Sequence, residues 1–332
     1  MNLLKVSDIS RKAGGLPILK DINFTLTAFE RLAIAGETGS GKSTLMKIIA
    51  GLEQADSGEV RFEDKRVEGP LEKLVPGHHG IAYLSQHFEL PRFLRVEQVL
   101  TYANVLTDDA AGRLYDVCKI SHLLQRRTDQ LSGGERQRIA MARLLIASPR
   151  LLLLDEPYSN LDMIHKSTLK SVIEGISEQL KITCVLVSHD PSDTLSWADQ
   201  IIVMRSGEVL QQGDPEQIYH QPDDPYIAGL FGRYSLLQAG DLKCFDSLSH
   251  IDASVLGDRA LFVRPERFRL AEEDAEGAVQ VIVKKVAFSV GFYELDVTLP
   301  SGTDITVRSD RRGISKDDRI WVSLPEAYGW LL

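Results

Sequence analysis

The sequence predicts an α/β domain with a parallel sheet over residues 1–235, followed by a small all-β domain over residues 236–332. Leu151–Leu154 and Thr183–Val187 are short, largely apolar runs, as expected for parallel strands covered on both faces. Stretches with helical periodicity separate such runs, which is the pattern of an α/β domain. Residues 293–299 instead alternate between apolar and polar side chains, which is typical of an antiparallel barrel or sandwich.

The elements of the first domain follow in chain order. Residues 1–30 and 57–62 alternate in places, which predicts an antiparallel β subdomain. Residues 81–85 are a further apolar strand. From about residue 88 to 150 apolar residues recur at helical spacing, which predicts a helical subdomain. Residues 200–210 predict a β-hairpin with its turn at a Ser-Gly pair, before a turn-rich boundary.

The composition excludes several classes of protein. The chain has 332 residues, 43% of them hydrophobic, which is ample for two folded domains. A net charge of −9 argues against a nucleic-acid partner. Cys118, Cys184 and Cys244 lack the spacing of a metal or redox site and indicate a reducing compartment. Since we find neither a signal-peptide pattern nor a membrane-length apolar run, we expect a cytoplasmic protein that reaches a membrane only through a partner.

A glycine-rich loop lies between a predicted strand, Arg31–Ala35, and a predicted helix, Lys42–Ala50, and fits the phosphate-binding pattern of P-loop NTPases. Its residues are Gly36, Glu37, Thr38, Gly39, Ser40, Gly41, Lys42, Ser43 and Thr44. The glycines let backbone N–H groups approach a polyphosphate, and the helix N-terminus adds a favourable dipole. Lys42 can then reach the β- and γ-phosphates, and the Ser43 hydroxyl can ligate Mg²⁺.

A second motif, Leu131–Gln137, reads Leu-Ser-Gly-Gly-Glu-Arg-Gln. Ser132, Gly133 and Gly134 precede a predicted helix that starts at Glu135, so this stretch is either a second anion site or a simple N-cap and turn. This stretch resembles the signature motif of the ATP-binding-cassette (ABC) ATPases, and the P-loop adds to the resemblance to that family. The resemblance covers about the first 230 residues.

The other motifs of that family are also present in order. Gln86 matches the glutamine loop, Leu151–Glu156 the Walker B strand, Ser159–Asp162 the D-loop and His189 the switch histidine. The resemblance implies that Asp155 supports Mg²⁺ through water, with Ser43 and Gln86 as further Mg²⁺ ligands.

The positions of these residues agree with such roles. Asp155 ends an apolar strand, and Glu156 beside it is placed to act as general base toward the attacking water. His189, at the end of a neighbouring strand, can reach the γ-phosphate. The alternatives are a satisfied loop histidine at 189 and an ordinary surface residue at Gln86.

The family resemblance also implies the quaternary arrangement. Two subunits dimerise head to tail, so that Ser132, Gly133, Gly134 and Glu135 of one subunit cover the ATP held by the other, with Asp162 of the D-loop nearby. ATP then favours the closed dimer, and hydrolysis releases it. ATP and Mg²⁺ are therefore the expected ligands, and a homodimer is the expected assembly.

Two stretches depart from the simplest interpretation. Relatives usually carry an early aromatic residue that stacks on adenine, but Ala13 occupies about that place, which leaves Leu16, Pro17 or the Arg11 stem to contact the base. His78 and His79 are adjacent but lack a third metal ligand, so we interpret them as loop residues.

The C-terminal domain resembles the TOBE domain, an OB-like barrel of bacterial importer ATPases. The matching stretches are Val263–Glu266, Val290–Gly291 and Asp318–Leu324. The domain either stabilises a dimer or senses a ligand. The resemblance implies an ATPase subunit on the inner face of the membrane, working with permease subunits and an external solute-binding protein. The solute would be a sugar, polyamine, iron or oxyanion. The alternatives to an importer subunit are a soluble ABC ATPase, an exporter subunit or a regulatory nucleotide-binding module.

Overall fold

The computed structural model describes residues 2–86, 90–159, 161–248, 257, 259–273, 275–324 and 330–332. The chain forms two compact units, Met1–Pro215 and Glu216–Leu332. The sequence placed its domain boundary later, at 235/236. The intervening segment belongs to the second unit because its backbone carbonyls bind the buried side chain of Arg264. The assignment of ATPase function to residues 1–235 and of a separate C-terminal domain to residues 236–332 stays a prediction.

The first unit contains the predicted central sheet. Its six strands lie in the order β10-β9-β3-β8-β7-β6, and all neighbouring pairs are parallel except β10 with β9. The strands are β3 (Arg31–Ala35), β6 (Ile81–Leu84), β7 (Leu151–Asp155), β8 (Thr183–Val187), β9 (Gln200–Arg205) and β10 (Glu208–Gly213). Every residue of β7 and β8 is buried, which confirms the two-sided covering predicted from their apolar runs. The predicted hairpin of β9 and β10 is also confirmed.

A second sheet in this unit is antiparallel, as the alternating residues predicted. Its order is β2-β1-β4-β5. The strands are β1 (Asn2–Ala13), β2 (Leu16–Thr27), β4 (Ser57–Phe62) and β5 (Lys65–Arg66). Their inward side chains share one apolar core with helix α1 (Lys42–Ile49) and with β3. The loop between β3 and α1 is thereby fixed between two packed layers.

Five further α-helices belong to the described part of the first unit. They are α2 (Val96–Thr101), α3 (Asp108–Val117), α4 (Gly133–Leu145), α5 (Met163–Gln179) and α6 (Pro191–Thr194). The first three confirm the helical character predicted between residues 88 and 150. None of the described helices is both long enough and apolar enough to cross a membrane.

The second unit is mainly antiparallel β structure. Two helices, α7 (Pro215–His220) and α8 (Pro225–Leu230), lead into a three-stranded sheet and a five-stranded sheet. The strands are β11 (Ser235–Leu237), β12 (Leu261–Val263), β13 (Arg269–Ala271), β14 (Ala278–Ser289), β15 (Phe292–Thr298), β16 (Asp304–Ser309), β17 (Arg319–Ser323) and β18 (Trp330–Leu331). Leu295, Val297 and Val322 are fully buried, so the alternating pattern did identify the inward face.

Candidate active site

The P-loop lies between β3 and α1, with Ser43 and Thr44 in the first helical turn. Gly41 caps the helix at φ 98°, and a Cβ atom there would lie 2.7 Å from the Ile18 carbonyl oxygen, so the position requires glycine. The Lys42 ammonium donates to the carbonyl oxygens of Gly36 (2.9 Å) and Glu37 (2.7 Å). Burial lowers the pKa of Lys42, and the nearby carboxylates of Glu156 and Asp155 oppose that shift. The ammonium is therefore held inside the loop where phosphates would bind.

An oxygen-rich corner forms where α1 meets the end of β7. The Ser43 hydroxyl donates to Asp155 Oδ1 at 3.0 Å, and the Tyr83 hydroxyl donates to Asp155 Oδ2 at 2.8 Å. Asp155 is almost completely buried. Burial and the bond to Asp155 together raise the pKa of Tyr83, so its hydroxyl stays protonated at neutral pH and can donate this hydrogen bond. Tyr83 was not predicted as a site residue; its only signal was its place in a strand beside the Walker B strand.

Glu156 follows β7 with an unusual backbone. Its φ is 48°, a left-handed value that non-glycine residues adopt at a cost of about 1–3 kcal/mol, and such residues cluster at functional sites. Three side chains converge on its Oε2 atom: Ser159 Oγ at 2.9 Å, Gln86 Nε2 at 3.4 Å and His189 Nδ1 at 3.5 Å. The structure thus brings together Gln86, Glu156 and His189, which the sequence had grouped only by resemblance.

The predicted Mg²⁺ ligands separate into two groups in the structure. Ser43 and Asp155 are hydrogen-bonded to each other, whereas the hydrogen bond of Gln86 goes to Glu156. Ser159 was missed as a partner of Glu156, although it lies within the predicted D-loop. A cavity of about 320 Å³ adjoins Glu156 and His189 and is also lined by Lys166, another residue that the sequence did not single out.

The signature segment caps helix α4. Ser132 Oγ accepts from the Glu135 amide at 3.3 Å, and Glu135 Oε2 accepts from the Ser132 amide at 2.8 Å, which is a reciprocal capping box. The bond to the Ser132 amide lowers the pKa of Glu135. The N-cap interpretation is therefore correct within one chain, and Ser132 and Gly133 are exposed.

The signature helix contacts the D-loop region of the same chain. A Cβ atom on Gly134 would lie 2.8 Å from the His165 ring, so any larger residue there would displace this ring from its packing against α4. The side chain of Gln137 donates to the Pro157 carbonyl. Asp162 caps α5 by accepting from the His165 amide at 2.9 Å, and this bond lowers the pKa of Asp162. Helix α4 thus contacts residues on either side of the D-loop.

The region expected to receive adenine is a β-hairpin tip. Ala13 pairs with Leu16 across the turn, and Leu16 is 72% exposed. The Arg11 guanidinium binds Glu53 Oε1 at 3.2 Å and Asp56 Oδ1 at 2.8 Å. Since these carboxylates hold the Arg11 head group, the exposed apolar surface at the tip comes from Leu16 and its neighbours.

The two adjacent histidines lie in the loop before β6. Their rings are stacked with centroids 4.6 Å apart, and His78 Nδ1 accepts a hydrogen bond from the Gly80 amide. Across the part of the chain that the structure describes, no three His, Cys, Asp or Glu side chains are grouped as a metal site would require.

In the second unit, Arg264 is the central polar residue. The residue is 1% exposed, and its guanidinium lies over two aromatic rings, with centroid distances of 4.1 Å to Tyr219 and 4.8 Å to Phe262. It donates to the backbone carbonyls of Tyr219, Ala228, Gly232 and Arg233. Arg264 belongs to the Val263–Glu266 motif, so the motif has a structural role that the sequence did not disclose.

A parallel sheet with a phosphate-binding loop at one strand end and a carboxylate pair at another defines the class of P-loop nucleotide-binding domains. Within that class, the ABC transporter family profile matches residues 19–159, and the TOBE domain profile matches residues 261–332. The chain belongs to the ABC transporter family.

Several curated proteins are similar over nearly the whole chain. The sulfate/thiosulfate import ATP-binding protein CysA 2 of Shewanella oneidensis is 31% identical, over 96% of each chain. The Fe(3+) ions import ATP-binding protein FbpC of Pseudomonas fluorescens is 34% identical over 84% of this chain and 81% of that protein. The glucose import ATP-binding protein GlcV of Saccharolobus solfataricus is 32% identical over 92% of each chain.

Solved structures agree with the fold of the first unit. The cbiO1 protein of Clostridium perfringens, part of an ABC transporter complex, aligns with a TM-score of 0.57 at 28% identity, over 65% of this chain and 90% of that one. A dimeric ATP-binding cassette, MJ0796 bound to ADP and phosphate, aligns with a TM-score of 0.53 at 25% identity, over 64% of this chain and 98% of that one.

Proposed function

We propose that this chain is the ATP-hydrolysing subunit of an ABC importer and energises solute uptake. The observation that carries the proposal is the convergence of Gln86, Ser159 and His189 on Glu156 Oε2, directly after the Asp155–Ser43 pair. The relatives named above are import ATP-binding proteins, and this supports an importer over an exporter or a soluble ABC ATPase.

The chemistry assigned to the site is hydrolysis of the γ-phosphate. Backbone N–H groups of residues 36–44 and the Lys42 ammonium bind the phosphates of ATP. The oxygen of a water molecule attacks the γ-phosphorus while the bond to the β-γ bridging oxygen breaks, and Glu156 accepts the proton of that water. The contacts from Ser159 and Gln86 orient the Glu156 carboxylate. We assign His189, which lies 3.5 Å from the same carboxylate, to contact with the γ-phosphate.

The oxygen-rich corner fits a magnesium ion. Ser43 presents a hydroxyl and Asp155 a buried carboxylate, both of them hard oxygen donors of the kind that Mg²⁺ prefers. We assign Ser43 and Gln86 as ligands, with Asp155 acting through water. Bound Mg²⁺ would neutralise charge on the phosphates. Tyr83 holds the Asp155 carboxylate in place.

We further propose a head-to-tail homodimer. Met163 and Ile164, directly after the D-loop residue Asp162, are 81% and 78% exposed, which is unusual for large apolar side chains and suits a contact surface. In the dimer, Ser132, Gly133, Gly134 and Glu135 of one subunit would cover ATP in the other. The similarity to a dimeric cassette supports this arrangement.

The helical subdomain offers a surface for permease subunits. Phe93, Tyr102 and Val105 are 67%, 82% and 69% exposed in this subdomain. We assign these exposed apolar side chains to contact with a membrane permease that works with an external solute-binding protein. In that assignment the chain lies on the cytoplasmic face of the membrane.

Replacing Lys42 by alanine is expected to weaken ATP binding. The ammonium supplies a charge-assisted hydrogen bond to phosphate, and such a bond contributes about 1.5–3 kcal/mol, or roughly 10- to 150-fold in Kd. Fluorescent-nucleotide titration measures the effect. Lys47→Ala, on the same helix but outside the loop, is the control. Equal ATP affinity in Lys42→Ala and wild type would contradict the role of this lysine.

Affinity purification of the full chain from detergent-solubilised native membranes tests the importer function. We expect a multi-span permease to copurify, identified by mass spectrometry, and phosphate release from Mg-ATP by the purified complex. Recovery of only ribosomal or DNA-bound proteins would contradict the transport function. Absence of phosphate release from the complex would contradict the ATPase function as well.

A further inference from the structure

Four charged side chains join helix α5 to the segment that carries His189. Lys166 Nζ lies 2.6 Å from Asp190 Oδ2 and 2.8 Å from Asp193 Oδ1, and Lys170 Nζ lies 2.8 Å from the same Asp193 oxygen. We call these residues, Lys166, Lys170, Asp190 and Asp193, the switch clamp. None of them belongs to the motifs of the active site.

The switch clamp is well sheltered from water on its inner side. The Asp193 side chain is 2% exposed and that of Lys166 is 17% exposed. Ser188 Oγ donates to Asp193 Oδ2 at 3.1 Å and accepts from the Asp190 amide at 3.1 Å. Buried ion pairs with this many contacts are sensitive to loss of one partner, because the remaining charge is left uncompensated.

His189 itself is loosely held. Its side chain is 63% exposed, and its contact with Glu156 Oε2 is 3.5 Å long. Of the residues on either side of it, Asp190 belongs to the switch clamp and is held by Lys166, and Ser188 is hydrogen-bonded to both clamp aspartates. The position of the imidazole beside Glu156 therefore depends on its fixed neighbours more than on its own side-chain contacts.

The other end of the switch clamp is connected to the D-loop. Lys166 lies in the first turn of α5, where its amide donates to the carbonyl of the N-cap residue Asp162 at 2.8 Å. A displacement of Asp162 thus moves the lysine through one helical turn. Lys166 also lines the cavity that adjoins Glu156 and His189. The first turn of α5 therefore joins the D-loop to the switch clamp.

We propose that Lys166 is a positioning residue that holds the His189 segment against α5, so that the imidazole stays beside Glu156 when the D-loop is in place. The ammonium of Lys166 does this through Asp190 and Asp193, with Lys170 as the second cation on Asp193. This inference rests on the proposed ATPase function, because it assigns a role in that reaction.

The first test replaces Lys166 by methionine, which keeps the length of the side chain and removes its charge. We expect kcat for ATP hydrolysis to fall about ten- to hundredfold, since a small misplacement of a catalytic group has effects of this size. KM for ATP should change less than about twofold, because the contacts of Lys166 are with the clamp aspartates and not with the P-loop. Lys166→Arg should recover most of the kcat.

The matched control is Lys119→Met. Lys119 Nζ donates to Ser171 Oγ at 2.6 Å, so this variant also removes a lysine contact to α5, but away from the His189 segment. Its kcat should equal that of wild type. Asp190→Asn, at a more exposed position, provides a second clamp variant with little risk of unfolding, and it should also lower kcat without raising KM.

A double-mutant cycle distinguishes positioning from a general structural effect. Once His189→Ala has removed the imidazole, adding Lys166→Met should cause no further loss of kcat, because the lysine acts through the histidine. Losses that multiply in the double variant would overturn the proposal, and so would a wild-type kcat in Lys166→Met.

Hydrogen exchange of the full chain gives a readout that does not depend on activity. We expect amides of residues 188–194 to exchange at least about tenfold faster in Lys166→Met than in wild type or Lys119→Met. Unchanged exchange would overturn the switch clamp. If the wild-type protein had no ATPase activity but Lys166→Met still showed this faster exchange, the proposed function would be contradicted and the clamp contacts would be supported.

Discussion

Glu156→Gln is expected to abolish nearly all ATP turnover while preserving ATP binding. Glutamine has the same size and can occupy the same place beside Ser159 and His189, but its amide cannot accept the proton of the attacking water. Loss of a general base typically lowers the rate about 10²- to 10⁴-fold. Phosphate release from Mg-ATP measures the rate, and nucleotide titration measures binding.

The control for this variant is Glu59→Gln. Glu59 is a partly exposed residue of the antiparallel sheet that pairs with Arg61, so its replacement should leave turnover unchanged. The left-handed backbone of Glu156 adds a second expectation. Because glycine adopts this φ without strain, Glu156→Gly should be inactive yet no less stable than Glu156→Gln. Wild-type turnover in Glu156→Gln would contradict the assignment of the general base.

Arg264→Met is expected to destabilise the C-terminal unit more than any exposed substitution in it. The guanidinium is packed on two aromatic rings in a buried residue and donates to four backbone carbonyls. Methionine fills much of the volume but donates no hydrogen bond, and each buried acceptor left without a donor costs about 1–3 kcal/mol. We therefore expect a loss of roughly 3–5 kcal/mol in the free energy of unfolding of this unit.

Denaturant unfolding of the full chain measures this loss. The Trp197→Phe substitution is made in every protein compared, so that the fluorescence comes from Trp321 and Trp330 in the C-terminal unit. Arg233→Met is the matched control, since its side chain is 46% exposed and pairs with Glu294 and Asp296. Surface ion pairs contribute up to about 1 kcal/mol, so the control should change little. Equal unfolding midpoints for the two variants would contradict the anchoring role of Arg264.

Much of the candidate site could be predicted because its motifs are local. The P-loop is nine consecutive residues, and its glycines and lysine indicate phosphate binding without reference to the rest of the fold. Strand β7 is recognisable from four consecutive leucines. The resemblance then supplied Gln86, Glu156 and His189, and the structure brings these three together. Their catalytic roles remain predictions for the experiments above.

The sequence by itself determined the class of each domain, the phosphate-binding loop and the carboxylates at the end of a buried strand, because each of these depends on neighbouring residues. Only the tertiary structure decided which side chains meet. Ser43 and Asp155 are 112 positions apart, and Tyr83 reaches Asp155 across 72 positions. Lys166 carries no local signal, and the motif that contains Arg264 does not reveal what this side chain binds. An ion pair or a buried anchor exists only when packing brings distant partners within hydrogen-bonding distance and excludes water from them.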